Sequence, residues 1–400
     1  MESTTATRRA LLAFGTVSFG YYAYSGLFST YAPLWFQSLG YSTLVIGGLA
    51  SMQSATRIFG PYAWGWLADH SGRRTRMLRI AAAGSLASAF GFLITPGYGW
   101  VATVLVLLFL FTSGVSPLSE SALSHFVQHE GSFDARRYGR VRVWGSVGFI
   151  AAVIAGGYLL QAIGIGWFPT LTIALLAMLL LAAGKVPDTV EPPHPVEGLA
   201  GAMHVLRRPV VMWFFLGMIL TVMAHVSLYV FFSLYLASLG YEKGAIGVLW
   251  VIGVALEVVW FWSQGRWLPL LPLHGWLLLS AIASAVRFAI TAAFGHVGSL
   301  LVLAQCMHAL TFAAQHSACA AVINRHFDGP LRARGQALYS VLGYGVSGVI
   351  GGIGGGAVSQ KWGFSAVFWV ASIVAMLAAL CCWRALVLDR GTAVRRKPIE

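Results

Sequence analysis

Apolar residues along this chain fall into twelve blocks separated by short polar runs, near 10–35, 44–66, 78–95, 99–125, 139–161, 167–184, 209–237, 244–263, 273–294, 298–323, 335–358 and 364–386. Each block is roughly 20 residues, enough for a helix to cross a hydrocarbon layer about 30 Å thick. Strands of a membrane barrel would instead alternate in polarity over about ten residues, and these blocks do not. The pattern predicts an all-α integral membrane protein with twelve transmembrane helices.

The longest polar break, 185–208, holds PDTVEPPHP and then Arg207 and Arg208, and it divides the spans six and six. The predicted organisation is an N-terminal six-helix bundle (1–184), a cytoplasmic linker (185–208), a C-terminal six-helix bundle (209–386) and a cytoplasmic tail (387–400). An internal repeat supports this division. SLGYSTLVIGGLASMQSATR (38–57) and SLGYEKGAIGVLWVIGVALE (238–257) share eight of twenty residues without a gap, at an offset of 200. The first ends on Arg57 and the second on Glu257, each inside an apolar span. A duplicated half with opposite charges at membrane depth fits a two-repeat transporter whose halves rock about a mid-membrane site.

Composition narrows the class. The chain is 58% hydrophobic and 10% charged, with a mean hydropathy of +0.75, whereas soluble domains carry about 25% charged residues. A net charge of +13 would suit a polyanion partner, but the placement of the cations argues against nucleic acid. Apart from Arg57, Arg287, Lys243 and Lys361, the 26 Lys and Arg lie in the termini, the even-numbered connections or the span ends beside them. Examples are Arg76 and Arg79 after span 2, Arg136 and Arg137 after span 4, and Arg395, Arg396 and Lys397 at the end. That asymmetry predicts cytoplasmic termini in a bacterial-type inner membrane. MESTTATRRA leads into a span too long for a signal-peptide core, so no cleavage is expected. Cys306, Cys319, Cys381 and Cys382 lack metal-ligand spacing and read as small packing residues. No nucleotide-binding loop, metal-ligand cluster or paired catalytic set is present in the sequence, so neither an enzyme nor a cofactor is expected.

GWLADHSGRR (65–74), between spans 2 and 3, matches the loop signature of the major facilitator superfamily, G-x-x-x-D-x-x-G-[RK]-[RK]. Gly65 and Gly72 would allow a tight turn, and Asp69 would cap a helix or pair with an arginine such as Arg73 or Arg74. The resemblance implies two pseudo-symmetric six-helix bundles and marks this loop as a conformational latch. More closely, the chain resembles the phenylpropionate permease family, related to lactose permease, from span 1 to span 12. YGRVRVWGSVGF (138–149) is similar to that family's fifth helix and SPLSES (116–121) to its fourth. GVLWVIGVALEVVWF (247–261), ASAVRF (283–288) and MHALTFAAQH (307–316) are similar to the eighth, ninth and tenth. The resemblance implies that Glu120 and Arg142 form a substrate-site ion pair, with Glu257, Arg287 and His308 in the proton-handling region. Thr311 stands where lactose permease has an acid, no helix-11 lysine is present, and Phe149 replaces a stacking tryptophan. These departures point away from sugars and towards phenylpropionate-type solutes.

Each ionisable group at a helix centre costs roughly 2.5–3.5 kcal/mol on insertion scales, so Arg57, Glu120, Glu257 and Arg287 unpaired would cost on the order of 10–14 kcal/mol. They should therefore pair, face water or bind something, and a purely structural ion-pair network is the alternative. Helical spacing places Ser113, Ser116, Glu120 and Ser124 on one stripe of span 4, and Gln305, His308, Gln315 and His316 within about 100° on span 10. Span 5 presents Arg142, Ser146 and Phe149 along one side. Aromatic rows run along span 1 (Tyr24, Phe28, Tyr31) and span 7 (His225, Tyr229, Phe232), read either as packing or as walls of a ring pocket. The resemblance implies that spans 1, 4, 7 and 10 line the cavity.

Three arginines against two carboxylates leave one positive charge over, which suits an anionic solute. Arg57, with Gln53 one turn earlier, is the expected carboxylate anchor. Glu257 is the first candidate for carrying the coupled proton and His308 the second. The expected function is a proton-coupled symporter, monomeric in the lipid bilayer, importing a small aromatic carboxylate by alternating access. A symporter of a neutral oligosaccharide or nucleoside is the alternative, and efflux a third.

Overall fold

The computed structural model describes residues 2–94, 97–129, 132–188, 200–327 and 331–395. The helices are α1 (Glu2–Ser38), α2 (Thr43–Ser71), α3 (Arg74–Phe90), α4 (Tyr98–Val127), α5 (Ala135–Ile163), α6 (Phe168–Gly184), a short α7 (Ala200–Leu206), α8 (Pro209–Ser238), α9 (Lys243–Trp267), α10 (Leu273–Phe294), α11 (Gly298–Cys306), α12 (Gln315–His326), α13 (Leu331–Leu338) and α14 (Ser347–Arg395). All twelve predicted spans are helical. The eleventh runs through α13 into α14, and α14 is broken at Gly363 (φ 82°, ψ 174°), where the twelfth begins. Eight described helical stretches are long and apolar enough to cross a membrane by length and composition. The first three helices lie outside that set: α1 and α2 carry hydroxyls, Gln53 and Arg57, and α3 carries Arg76 and Arg79.

Three features differ from the expected pattern. Part of the predicted linker is helical (α7), and 189–199 lie outside the described residues. The predicted tail continues α14 as far as Arg395, and 396–400 lie outside the described residues. A small antiparallel hairpin, β1 (Gln128–His129) and β2 (Ser132–Phe133), pairs Gln128 with Phe133 and His129 with Ser132. Two spans also contain π-helical turns. Ala309–Ala314 joins α11 to α12 and Tyr339–Val346 joins α13 to α14. A π turn closes i to i+5 and so rotates every residue beyond it relative to an unbroken α-helix.

The sequence repeat is a structural repeat. Gly40 (φ 81°) and Gly240 (φ 88°) both turn the chain through the left-handed region, where a Cβ is costly. Around them the same bonds recur at an offset of 200. Gly40 N–H donates to Gln37 and Gly240 N–H to Ala237, Tyr41 to Phe36 and Tyr241 to Leu236, Ile46 to Ser42 and Ile246 to Glu242.

The chain forms two compact units, and each draws a segment from the sequence half of the other. The first comprises Met1–Tyr41, Ala55–Pro195 and Glu242–Val248. Its centre is aromatic: Phe28 meets Phe92, Phe109 and Phe168, and Trp35 stacks on Phe168 at 5.4 Å. The start of α9 is held there by the Tyr31 hydroxyl, which donates to Val153 O (2.7 Å) and lies 3.3 Å from Lys243 O. The second unit comprises Ser42–Ser54, Val196–Tyr241 and Leu249–Glu400. In it the start of α2 lies against α14: a Cβ on Gly47 would run into Gly352 O, and Ser51 Oγ donates to Val349 O at 3.1 Å. Phe231, Phe232, Phe288 and Phe368 are fully buried in its core.

Candidate functional site

In the first unit the chemistry gathers on α1, α4 and α5. Arg142 Nη1 lies 2.9 Å from Glu120 Oε1 and also donates to the Tyr22 hydroxyl, with the guanidinium carbon 5.0 Å from the Tyr22 ring centroid. Ser116 Oγ donates to Glu120 Oε1 at 3.1 Å. Glu120 follows Pro117 by three residues, and the proline has no N–H to close the bond onto Ser113 C=O. A small cleft opens here, lined by Ser18, Tyr21, Tyr22, Ser116, Ser119 and Glu120. The pair is half exposed, 45% for Arg142 and 39% for Glu120. It is therefore hydrated, and its charges remain available to a solute.

Arg57 is exposed on α2, within electrostatic reach of Tyr21 and Tyr24, and it makes no hydrogen bond or ion pair among the described residues. Pro61 four residues later removes the backbone bond that Arg57 C=O would otherwise accept, loosening the helix at that point. Arg57 and Arg142 against Glu120 leave this unit's cluster with one positive charge in excess. Gln53, one turn before Arg57, falls in the segment of α2 that packs with the second unit.

The aromatic row of span 1 points elsewhere. Phe28 is buried among the rings at the unit's centre, and Tyr31 is committed to Val153 and Lys243. Phe28 is thus a packing residue; one apolar surface suits a core and a ring pocket equally, and the sequence row could not separate them. Tyr24 is buried against Phe28 at 5.5 Å. The residues missed by that reading are Tyr21 and Tyr22, and the signal was Ser18, Tyr21 and Tyr22 at helical spacings of three and four. Ser113 packs against Gly60 on α2, so of the span-4 stripe Ser116 and Glu120 line the cleft, joined there by Ser119, which the stripe did not include. Phe149 is half buried beside Gly26 on α1.

The latch motif ends α2. Gly72 (φ 62°) makes the turn, its N–H donating to Ala68 O at 2.9 Å. Gly65 lies inside α2 with open space at its Cβ position, so the expected tight turn is built at Gly72 alone. Asp69 pairs with Arg74 at 2.9 Å, and Arg74 Nη1 also donates to Ser121 Oγ on α4. Arg73 is exposed, its N–H bonded to Ser71 Oγ at 3.3 Å.

In the second unit the site is a buried guanidinium. Arg287 on α10 is 0% exposed, and its donors meet His308 Nδ1 (2.8 Å), Thr311 Oγ1 (3.0 Å) and Gln305 Oε1 (2.9 Å). Hydrogen bonds to a charged group contribute about 1.5–3 kcal/mol each. Three of them outweigh an insertion cost of roughly 2.5–3.5 kcal/mol, so Arg287 is held without a carboxylate in contact. Thr311 is one of these acceptors. A guanidinium can only donate, so His308 Nδ1 accepts and the ring proton sits on Nε2. Nε2 faces Glu257 Oε2 on α9 at 3.7 Å, beyond hydrogen-bond length. His225 lies nearby with Nδ1 donating to Thr221 O at 2.8 Å, its ring 6.5 Å from that of His308. Tyr229 is half buried and stacks on Trp250 at 6.3 Å. Among the described residues no group of three His, Cys, Asp or Glu could hold a metal ion.

Comparison with known proteins gives consistent relatives. The sequence model of the MFS_1 like family matches residues 11–370. The probable 3-phenylpropionic acid transporter of Escherichia coli (strain K12) is 29% identical over 93% of this chain and 96% of its own length. The maltose permease of Geobacillus stearothermophilus is 26% identical over 90% of both chains. Among solved structures, the nucleoside transporter NupG superposes with a TM-score of 0.82 at 17% identity, covering 94% of this chain and 99% of that one.

Proposed function

This chain belongs to the MFS_1 like family of multi-pass membrane transporters, and on that premise we propose that it is a proton-coupled symporter importing a small aromatic carboxylate, such as 3-phenylpropionate, by alternating access. The observation that carries the reading is Arg57, a cation in a membrane span, exposed beside two tyrosines and engaged by no acid among the described residues. Arg57, supported by Gln53, holds the solute carboxylate, while Tyr21, Tyr24 and the Tyr22–Arg142–Glu120 cluster contact its ring side. Phe149 serves as a further ring contact of this unit, and Tyr229 is a candidate solute contact of the second unit.

Coupling belongs to the second unit. Glu257 takes up and releases the proton, and His308 transmits its charge state to Arg287 by giving or withholding the Nε2 hydrogen. Asp69, Gly72, Arg73 and Arg74 form the latch that rearranges during the cycle, with Gly65 in the helix before it. The protein works as a monomer in a bacterial inner membrane with both termini in the cytoplasm.

The test is uptake into proteoliposomes under an imposed pH gradient, comparing phenylpropionate, a disaccharide and a nucleoside. Accumulation of phenylpropionate alone is expected; accumulation of the disaccharide or nucleoside instead would overturn the substrate class. Arg57→Gln should abolish uptake of the carboxylate while sparing its amide, and equal loss of both would remove Arg57 from recognition.

A further inference from the structure

Both π turns of the second unit end on one side-chain cluster. Tyr339 and Tyr344 are five residues apart, and at about 100° per residue an α-helix would hold them roughly 140° apart. The π turn Tyr339–Val346 closes i onto i+5, and there the two hydroxyls lie 3.2 Å from each other. They lie 3.0 Å (Tyr339) and 3.5 Å (Tyr344) from His316 Nδ1 on α12. The other π turn, Ala309–Ala314, has a matching effect. Eight residues of α-helix would turn His316 about 80° away from His308. Instead His308, Phe312 and His316 form a column of near-parallel rings, at 5.2 Å and 6° and then 6.2 Å and 19°. Single π turns inside long helices recur at functional sites, and two of them converge here on a histidine.

The two histidines in this column differ in what they can do with a second proton. His308 Nδ1 is filled by the Arg287 guanidinium, which has no lone pair to offer in return. A proton there would break that bond and set two cations side by side. His316 Nδ1 faces hydroxyls, and a hydroxyl accepts as readily as it donates. When Nδ1 is bare, Tyr339 donates to it. When Nδ1 is protonated, Tyr339 accepts from it and turns its own hydrogen to Tyr344. The cluster can hold or lose the proton while the contacts of His316 with Tyr339 and of Tyr339 with Tyr344 are kept. Groups that face His316 from the packed elements include Tyr339 and Tyr344, together with Phe261 of α9, edge-on at 6.3 Å. Gln264 on α9 bonds the neighbouring Ser317, and Glu257, two turns earlier on that helix, is the acid opposite His308.

We infer that His316, gripped by Tyr339 and Tyr344, is a second proton-binding site of this transporter, separate from Glu257. The inference rests on the proton-coupled reading for its purpose, and its chemistry stands apart from it. Proton binding at His316 swaps the direction of the hydrogen bonds across the π turn of the eleventh span. Proton occupancy is thereby tied to a helix geometry that an ordinary α-turn would dissolve.

The test uses the full chain in lipid nanodiscs with ¹⁵N-labelled histidine, titrated by NMR between pH 5 and 8, with His316→Gln identifying the resonance. His316 should titrate within that range, and its midpoint should move in Tyr339→Phe, which has no hydroxyl to donate to Nδ1 or accept from it. In proteoliposomes, Tyr344→Phe should leave solute counterflow within about twofold while shifting the pH profile of gradient-driven uptake. A His316 resonance that stays in one protonation state from pH 5 to 8 overturns the inference, as does a midpoint indifferent to Tyr339→Phe. If the wild type accumulates no solute under a pH gradient, proton coupling fails as the function, while the NMR titration still decides the site. Should His316→Gln fail to fold, the assignment passes to the resonance perturbed in both tyrosine variants.

Discussion

Replacing Glu120 with glutamine separates a working charge from a structural one. The change preserves shape and the capacity to accept from Ser116, and it removes the anion facing Arg142 at 2.9 Å. With 45% and 39% of the two side chains exposed, the pair is hydrated. Hydrated pairs contribute about 0.2–1 kcal/mol, so the expected stability loss is under about 1 kcal/mol, a melting shift of a few degrees at most. Transport should respond far more strongly. Arg142, released from Glu120, would compete with Arg57 for the solute carboxylate, and losing one charge-assisted contact worth about 1.4 kcal/mol is already a tenfold change. Counterflow of radiolabelled phenylpropionate in proteoliposomes should therefore fall at least tenfold in Glu120→Gln, while the thermal unfolding midpoint of the purified protein moves little. The reasoning is refuted if counterflow is unchanged. It is equally refuted if unfolding shifts by the equivalent of about 3 kcal/mol or more, because the pair would then be behaving as a buried structural bridge.

Three further expectations follow from other parts of the structure. Glu257→Gln should retain counterflow and lose accumulation driven by a pH gradient, read as steady-state uptake with and without the gradient. Thr311→Val removes one neutral acceptor from the buried Arg287 and should cost about 1.5–3 kcal/mol, seen as a lowered unfolding midpoint. Gly47→Ala would drive a methyl into Gly352 O, where backbone must yield, and should destabilise by about 1–3 kcal/mol. Gly48→Ala, whose Cβ position is open, is the matched control and should fold as the parent does.

The sequence and the structure agree where the physics leaves a single answer. Twenty apolar residues have few resting places besides a bilayer, so the spans were legible in full. Arg287 and His308 were legible as partners because a guanidinium at membrane depth must find acceptors and the resemblance supplied the nearest. Gln305 and Thr311 completed that set. What was illegible is rotational. The π turns at Ala309–Ala314 and Tyr339–Val346 shift the phase of their spans, and a pattern read at 3.6 residues per turn does not show that Tyr339 meets Tyr344. Phe28 stayed open between packing and pocket for another reason: hydrocarbon, protein core and ring pocket all accept a phenylalanine. The spacing of Ser18, Tyr21 and Tyr22 marked a face of span 1, but the pairing of Tyr22 with Arg142 lay beyond any spacing rule, because the two are far apart in sequence.

One topological detail governs how such a chain can be made. Ser42–Ser54 is packed by residues translated much later, and Glu242–Val248 by residues translated much earlier. Two separately expressed fragments, cut between the sixth and seventh spans, would each carry an orphan piece whose docking surface is on the other fragment. Either fragment alone should be cleared by membrane proteases, and co-expression should rescue both, making assembly a mutual checkpoint that a half-made product cannot pass.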